Sequence, residues 1–151
     1  MIKIITVGAI KEKYLKDAIE EYTKRISKYT NIEIIEVKDE GLVEPQKAMD
    51  LEGEKIKKYI SPRDYVITLE IEGKQLTSEE FAQKINSIYL ESSNITFIIG
   101  GSYGISQEIK NMSNFKLSFS KMTFPHQLFR VNLLEQIYRA YKINNNESYH
   151  K

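Results

Sequence analysis

Short runs of apolar residues alternate with amphipathic segments along the whole chain. The apolar runs are rich in isoleucine, valine and phenylalanine, a composition typical of buried strands. The segments between them repeat their apolar positions every three to four residues, as helices that pack on a sheet do. The pattern predicts five strands: Ile2–Val7, Ile32–Val37, Tyr65–Leu69, Asn94–Ile99 and Phe115–Ser118.

Helices are predicted between these strands and after the last one. Thr77 and Glu80 have the spacing of a capping box, and Ser106 is placed to cap a short helix. Strands that alternate with helices indicate an α/β fold with a mostly parallel sheet covered on both faces. The first predicted helix covers Lys11–Ser27 and has on one face Tyr14, Leu15, Ala18, Ile19 and Tyr22. A charged helix is predicted over Pro45–Ile60, and the helix that starts at the capping box runs to Leu90 with Phe81, Ile85 and Ile88 facing inward. A long helix is predicted over Pro125–Ile143.

The composition limits the classes of protein to which the chain can belong. A length of 151 residues with 41% hydrophobic content predicts one domain, 1–151, with one compact core. The chain has no cysteine, and its two histidines, His126 and His150, are too few for a zinc site, so no metal is expected. The first strand begins at once, without a signal-like charged and apolar leader, and no apolar run is long enough to span a bilayer. We therefore expect a cytoplasmic protein without membrane attachment.

Net charge is +1, yet the charge is unevenly distributed. Residues 105–151 contain seven Lys and Arg against three Glu, and they are also rich in Phe and Tyr. Cations neutralise phosphates and aromatic faces stack on bases, so this end of the chain is suited to RNA contact, although a solvated basic helix face gives the same pattern.

A glycine cluster follows the fourth predicted strand, which ends in Gly100, Gly101 and Gly104. The spacing is not the GxGxxG dinucleotide motif, and no acidic residue follows at the distance that ribose binding needs. The phosphate-binding GxxxxGK[ST] motif is also absent. Strand ends are where open α/β sheets bind ligands, so the cluster either contacts a ligand or only makes a tight turn.

The loop after the fifth predicted strand favours the ligand. Residues 118–126 read SFSKMTFPH, a mixture of large apolar side chains and hydroxyls without glycine, which is neither a normal turn nor an amphipathic element. Two such loops at neighbouring strand ends could form an apolar slot for a flat ring, with backbone N–H and C=O groups reading its edge. An adenine fits that description.

Three segments also carry a resemblance to a known family. The segments that carry the resemblance are IGGSYG, LSFSKMTFPHQLFRVNLLEQIYRAYKI and the terminal YHK. The chain closely resembles the SPOUT (α/β-knot) methyltransferases, and specifically the 23S rRNA (pseudouridine-1915-N3) methyltransferase H family. The likeness extends over the whole chain, including VGAIKEKYLKDAIEEYTKRI near the start and VITLEIEGK in the middle. The SFSKMTFPHQ segment is far more specific than a glycine motif alone.

The resemblance implies a fold, a cofactor and partners. The fold is a Rossmann-like, mostly parallel sheet whose C-terminal segment threads a loop to make a deep trefoil knot, although general topology rules would argue against a knot. The implied activity is methylation of N3 of a pseudouridine in 23S rRNA of the ribosome, by a metal-free homodimer with the long C-terminal helix at its interface. S-adenosyl-L-methionine is the implied cofactor, and the matching positions are Leu69, Gly100, Gly101, Phe119, Ser120, Lys121, Met122, Thr123 and Phe124.

The acceptor side of that reaction needs a group that takes the imide proton or stabilises the anion. The polar candidates for a catalytic role are His126, Arg130, Arg139, Tyr149 and His150. His126 lies at a helix start, where the dipole disfavours the imidazolium form, and is either a neutral base or a residue that orients the loop. The two arginines either bind phosphates or cross the dimer interface. Tyr149 and His150 are either a disordered terminus or a flap that folds back over the substrate.

The tail departs from the family, which has a glycine where this chain has Asn144, Asn145 and Asn146. Asparagine tolerates the left-handed backbone best among non-glycine residues, so Asn146 could reverse the chain after the helix. The apolar helix face of Phe129, Leu133, Leu134, Ile137 and Tyr141 fits either the dimer interface or ordinary core packing.

Two other functions fit the same sequence. One is a ribosome-associated RNA-binding protein that keeps the fold without turnover. The other is a SPOUT enzyme that acts on tRNA, and the absence of an added RNA-binding domain argues against it. An assay of methyl transfer separates the enzyme from the binding protein, since binding alone leaves RNA unmodified.

Overall fold

A parallel sheet forms the centre of the computed structural model, which describes residues 1–151. Its strands are β1 (Ile2–Val7), β2 (Ile32–Val37), β3 (Tyr65–Gln75), β4 (Ile95–Ile99) and β5 (Phe115–Ser118). They are ordered β2-β1-β4-β3-β5, and every neighbouring pair is parallel. All five predicted strands are confirmed, and the strand ends β3, β4 and β5 lie side by side.

Five helices connect and cover these strands. They are α1 (Lys13–Ile26), α2 (Pro45–Lys57), α3 (Ser78–Ile88), α4 (Gln107–Met112) and α5 (His126–Asn144). The capping box is confirmed, because the Thr77 hydroxyl accepts from the Glu80 N–H while the Glu80 carboxylate accepts from the Thr77 N–H. The predicted cap of α4 is confirmed as well, with the Ser106 hydroxyl accepting from the Ile109 N–H.

The sheet is covered on both faces, as the alternation of strands and helices predicts. In β1, Ile2 and Ile4 belong to a core that also contains buried residues of α1, α3 and α5. Ile5 and Val7 point to the other face and join a smaller core with residues of α2 and α4. Because side chains of a strand alternate between faces, a continuous apolar strand such as β1 supplies both cores. Phe81, Ile85 and Ile88 are buried as expected.

The end of β3 differs from the prediction. The strand continues past Leu69 to Gln75 instead of turning at Gly73. Leu69 and Lys74 both stand opposite Leu117 of β5, so the intervening residues bulge out of the ladder. A Cβ at Gly73 would lie 2.7 Å from the Lys116 carbonyl oxygen, which shows how closely the two backbones approach there.

The apolar face of α5 is part of the core of the single chain. Leu133, Leu134 and Ile137 are fully buried and Tyr141 is nearly so, while Phe129 packs against them as a half-buried residue. Of the two alternatives for this face, ordinary core packing is therefore the one that the structure supports. On α1 the expectation for Tyr14 fails, because 69% of that residue is exposed.

No helix in the structure has both the length and the apolar character that crossing a membrane requires.

Candidate active site

A cavity of about 430 Å³ lies at the carboxyl ends of β3, β4 and β5. Its walls come from the end of β3, the glycine loop after β4, and the loop between β5 and α5. This is the edge at which open α/β sheets bind ligands, and the volume falls within the range of small-molecule sites. Of the nine predicted cofactor positions, all except Lys121 line it: Leu69, Gly100, Gly101, Phe119, Ser120, Met122, Thr123 and Phe124.

The glycine loop is compact and presents backbone to the cavity. The Gly104 N–H donates to the Gly101 carbonyl at 3.0 Å, and Gly104 has a φ of 94°, a value that favours glycine. A Cβ at Gly100 would lie 2.7 Å from the Gly104 carbonyl carbon. The glycines therefore do make a tight turn, and the same turn leaves their backbone groups accessible to a ligand.

Aromatic contacts and short hydrogen bonds fix the second loop. The Ser118 hydroxyl donates to the Ser120 carbonyl, and the Ser120 hydroxyl accepts from the Met122 N–H, both at 3.0 Å. The rings of Phe119 and Phe124 pack on a third ring, with centroid distances of 4.8 and 6.0 Å. That third ring belongs to Phe129 in α5, which sequence reasoning missed as a residue of the site.

The sequence also did not reveal the acidic side of the cavity. Glu70 and Glu72 line it, because β3 continues beyond the point at which the hydrophobic pattern ends. The Thr68 hydroxyl donates to the Glu70 carboxylate at 2.6 Å, and Lys110 lies 3.7 Å from the same carboxylate. These contacts hold Glu70 at the edge of the cavity with a cation nearby.

Of the five candidate catalytic residues, only His126 lines the cavity. It is the first residue of α5 and is half-buried, directly after the loop that carries Phe124. Its imidazole is therefore placed to act on a molecule in the cavity or to support the loop.

Arg130 is far more buried than its predicted roles allow. Only 1% of it is exposed, and its guanidinium contacts Glu36 at 2.5 Å, the Thr6 hydroxyl at 3.0 Å and the Gly8 carbonyl at 3.1 Å. A guanidinium enclosed in this way does not reach a phosphate or a partner subunit. Its role in this structure is to join α5 to the ends of β1 and β2.

Arg139, Tyr149 and His150 form one cluster on α5. Arg139 donates to Glu135 at 2.9 and 2.5 Å and approaches the His150 Nδ1 at 3.1 Å. The Tyr149 hydroxyl donates to Glu135 at 3.3 Å, and its ring lies under the Arg139 guanidinium. Burial, followed by the charge of Glu135, raises the pKa of Tyr149 to about 12, so at neutral pH it is a phenol that donates.

The tail is ordered against its own chain. Asn146 has a φ of 55°, which confirms the predicted left-handed reversal after α5. The His150 Nε2 lies 2.6 Å from Glu79 in α3, and this hydrogen bond lowers the pKa of Glu79. Tyr149 and His150 do not line the cavity, so the tail does not fold back over the site of the same chain.

Comparisons with known proteins agree with the geometry. The model of the family described as predicted SPOUT methyltransferases matches residues 1–150. A ribosomal RNA large subunit methyltransferase H of Bifidobacterium adolescentis is 56% identical and one of Clostridium botulinum 54% identical, each over 99% of both chains. A probable methylase family protein from Haemophilus influenzae Rd KW20 is similar in structure, with a TM-score of 0.57 at 13% identity, over 99% of this chain and 70% of that one.

Proposed function

Because this chain belongs to the SPOUT methyltransferase family, we propose that it transfers the methyl group of S-adenosylmethionine to N3 of a pseudouridine in large-subunit ribosomal RNA. The general part of this proposal is that the chain is a methyltransferase of large-subunit ribosomal RNA. It follows from the family and from relatives that bear that name and are more than half identical to this chain in sequence. We propose further that the protein works in the cytoplasm, that its substrate is the assembled ribosome, and that its C-terminal segment is knotted.

One observation carries the proposal: eight of the nine positions that the sequence predicts for the cofactor line one cavity. The residues present fit such a group. Leu69, Ile99 and Leu117 give apolar walls, Phe119 and Phe124 offer ring faces, and the glycine loop brings backbone to the cavity wall without side chains. A flat purine with polar edges needs this combination of surfaces.

Methyl transfer from S-adenosylmethionine requires from the protein mainly the correct placement of the two reactants. When bound, S-adenosylmethionine supplies a methyl group already activated by a sulfonium centre. The chain then has to hold the acceptor in line, exclude water and handle the imide proton. The apolar walls exclude water, and His126 is the only one of the five candidate catalytic residues that lines the cavity.

An apolar rim at the mouth of the cavity supports the proposed homodimer. Ile71, Tyr103 and Met122 line the cavity and yet are 48%, 44% and 75% exposed. Leu128 does not line the cavity itself, but it is 41% exposed and lies in the first turn of α5, between the cavity residues His126 and Phe129. Large apolar side chains exposed around one cavity mark interaction sites. A second copy seated on this rim would cover it and would bring another chain's groups to the acceptor side.

Leu128→Glu should therefore give monomers that do not methylate ribosomes, because a charge would be buried at the interface. Light scattering after size exclusion at micromolar concentration measures the mass. Leu90→Glu is the matched control, since Leu90 is 89% exposed and does not line the cavity. An active Leu128→Glu monomer would contradict the shared-site arrangement.

Gly101→Val should weaken S-adenosylmethionine binding at least about tenfold, because it displaces the glycine loop. The added side chain does not fill the ligand space, since a Cβ there would lie 2.9 Å from Glu52 and 3.0 Å from Val7, inside the protein. The loop must therefore shift. Calorimetry measures the affinity, and an unchanged value would place the cofactor elsewhere.

The proposed activity is tested with purified protein, labelled S-adenosylmethionine, and ribosomes or tRNA as acceptor. We expect label in large-subunit RNA alone. Label in tRNA would make this a SPOUT enzyme of different specificity, and binding to ribosomes without any label would make it an RNA-binding protein.

A further inference from the structure

A buried carboxyl group lies directly behind the glycine loop. Glu52 of α2 is 2% exposed, and its Oε2 accepts from the Glu40 N–H at 3.0 Å. Its Oε1 is buried and has no hydrogen-bond partner. Buried polar atoms without a partner are rare and costly, so this one calls for an explanation.

The unpartnered oxygen faces Gly101. A Cβ built on Gly101 would lie 2.9 Å from the Glu52 Oε1 and 3.3 Å from its Oε2. Gly101 lines the cavity, whereas Glu52 does not. The backbone of Gly101 is thus enclosed between the cavity and the carboxyl group, and it can take up this position because it has no side chain.

Burial is the largest influence on the pKa of Glu52 and raises it. The neighbouring carboxyl group of Asp39 raises it further, whereas the hydrogen bond from the Glu40 N–H and the charge of Lys55 lower it. A raised pKa reduces the cost of burying the carboxyl group against the glycine backbone. The group can therefore serve as a close-fitting support.

We propose that Glu52 is a positioning residue, whose carboxyl group supports Gly101 from behind and thereby sets the affinity of the cavity for its cofactor. The inference rests on the proposed function, since it takes S-adenosylmethionine as the ligand. No residue of α2 lines the cavity, so Glu52 acts on cofactor affinity through the glycine loop.

Three variants separate positioning from stability. Glu52→Gln keeps the shape and the length of the side chain, and should leave the dissociation constant for S-adenosylmethionine within about twofold of the parent. Glu52→Asp withdraws the carboxyl group from Gly101, Glu52→Ala removes it, and each should raise that constant about tenfold or more. Glu54→Ala is the matched control, because Glu54 is an exposed carboxylate of the same helix.

Calorimetry gives the affinities and circular dichroism the melting temperatures of the same samples. We also expect the KM for S-adenosylmethionine to rise in Glu52→Asp while kcat at saturation stays near that of the parent. Equal affinities in the folded Asp and parent proteins would overturn the inference, and so would a Gln variant as weak as the Asp variant. A parent protein that does not bind S-adenosylmethionine would instead overturn the proposed function, so the two failures are distinguishable.

Discussion

Deletion of Ser148–Lys151 should reduce methyl transfer to ribosomes at least about a hundredfold and leave S-adenosylmethionine affinity within about twofold of the parent. The deleted residues do not line the cavity of their own chain, so cofactor binding has no reason to change. They carry Tyr149 and His150, which the cluster around Arg139 holds in place on the outside of α5. In a dimer this cluster is available to the acceptor site of the partner.

The point of truncation preserves the fold. Glu147 remains, and its carboxylate accepts from the Tyr29 hydroxyl at 2.8 Å and from Lys142 at 3.2 Å. The deletion also removes the half-buried ring of Tyr149, which packs on Tyr138 at a centroid distance of 4.9 Å, so the melting temperature should fall while the rest of the core stays intact. Deletion of Lys151 alone is the control, because that residue is exposed. If the protein without the tail transfers methyl groups at the full rate, His126 becomes the candidate for the group that acts on the acceptor.

Glu36→Ala should lower the free energy of unfolding by about 3–5 kcal/mol, because it leaves the Arg130 guanidinium buried with only neutral acceptors. Arg130→Met should cost less, since the Glu36 carboxylate it leaves behind is 42% exposed and can be solvated. In the double variant the two losses should not add, as expected for residues in direct contact.

Urea unfolding followed by circular dichroism measures these changes. The exposed pair of Lys13 and Asp17 provides a matched control, since Asp17→Ala removes an ion pair whose side chains are 87% and 58% exposed and should leave stability unchanged. A Glu36→Ala variant as stable as the parent would show that Arg130 does not join α5 to the sheet.

The sequence predicts most of the fold because local signals agree with the final structure. The strand Ile2–Val7 is apolar at four of its six positions, with apolar residues on both sides, and the structure buries both of its faces. The Thr77 and Glu80 pair caps its helix through contacts only three residues apart. The loop after β5 was recognisable as part of a site because its residues suit neither a normal turn nor an amphipathic element.

Other features depend on contacts between distant segments. The bulge of β3 exists because β5 pairs on both sides of it, so Glu70 and Glu72 enter the site without a local signal. Arg130 contacts residues that are more than ninety positions away in the chain. The periodicity of apolar residues does not predict contacts of this kind. The apolar face of α5 was ambiguous for the same reason, since both a core and an interface require one.

Mass spectrometry of ribosomal RNA from cells with and without this gene tests the central claim most directly. The account predicts that one pseudouridine of the large-subunit RNA carries a methyl group at N3 in the parent, and that this nucleoside lacks it in the deletion strain. Restoring the gene should restore the mark, and a copy lacking Ser148–Lys151 should not. Identical modification of large-subunit RNA in the two strains would contradict the account.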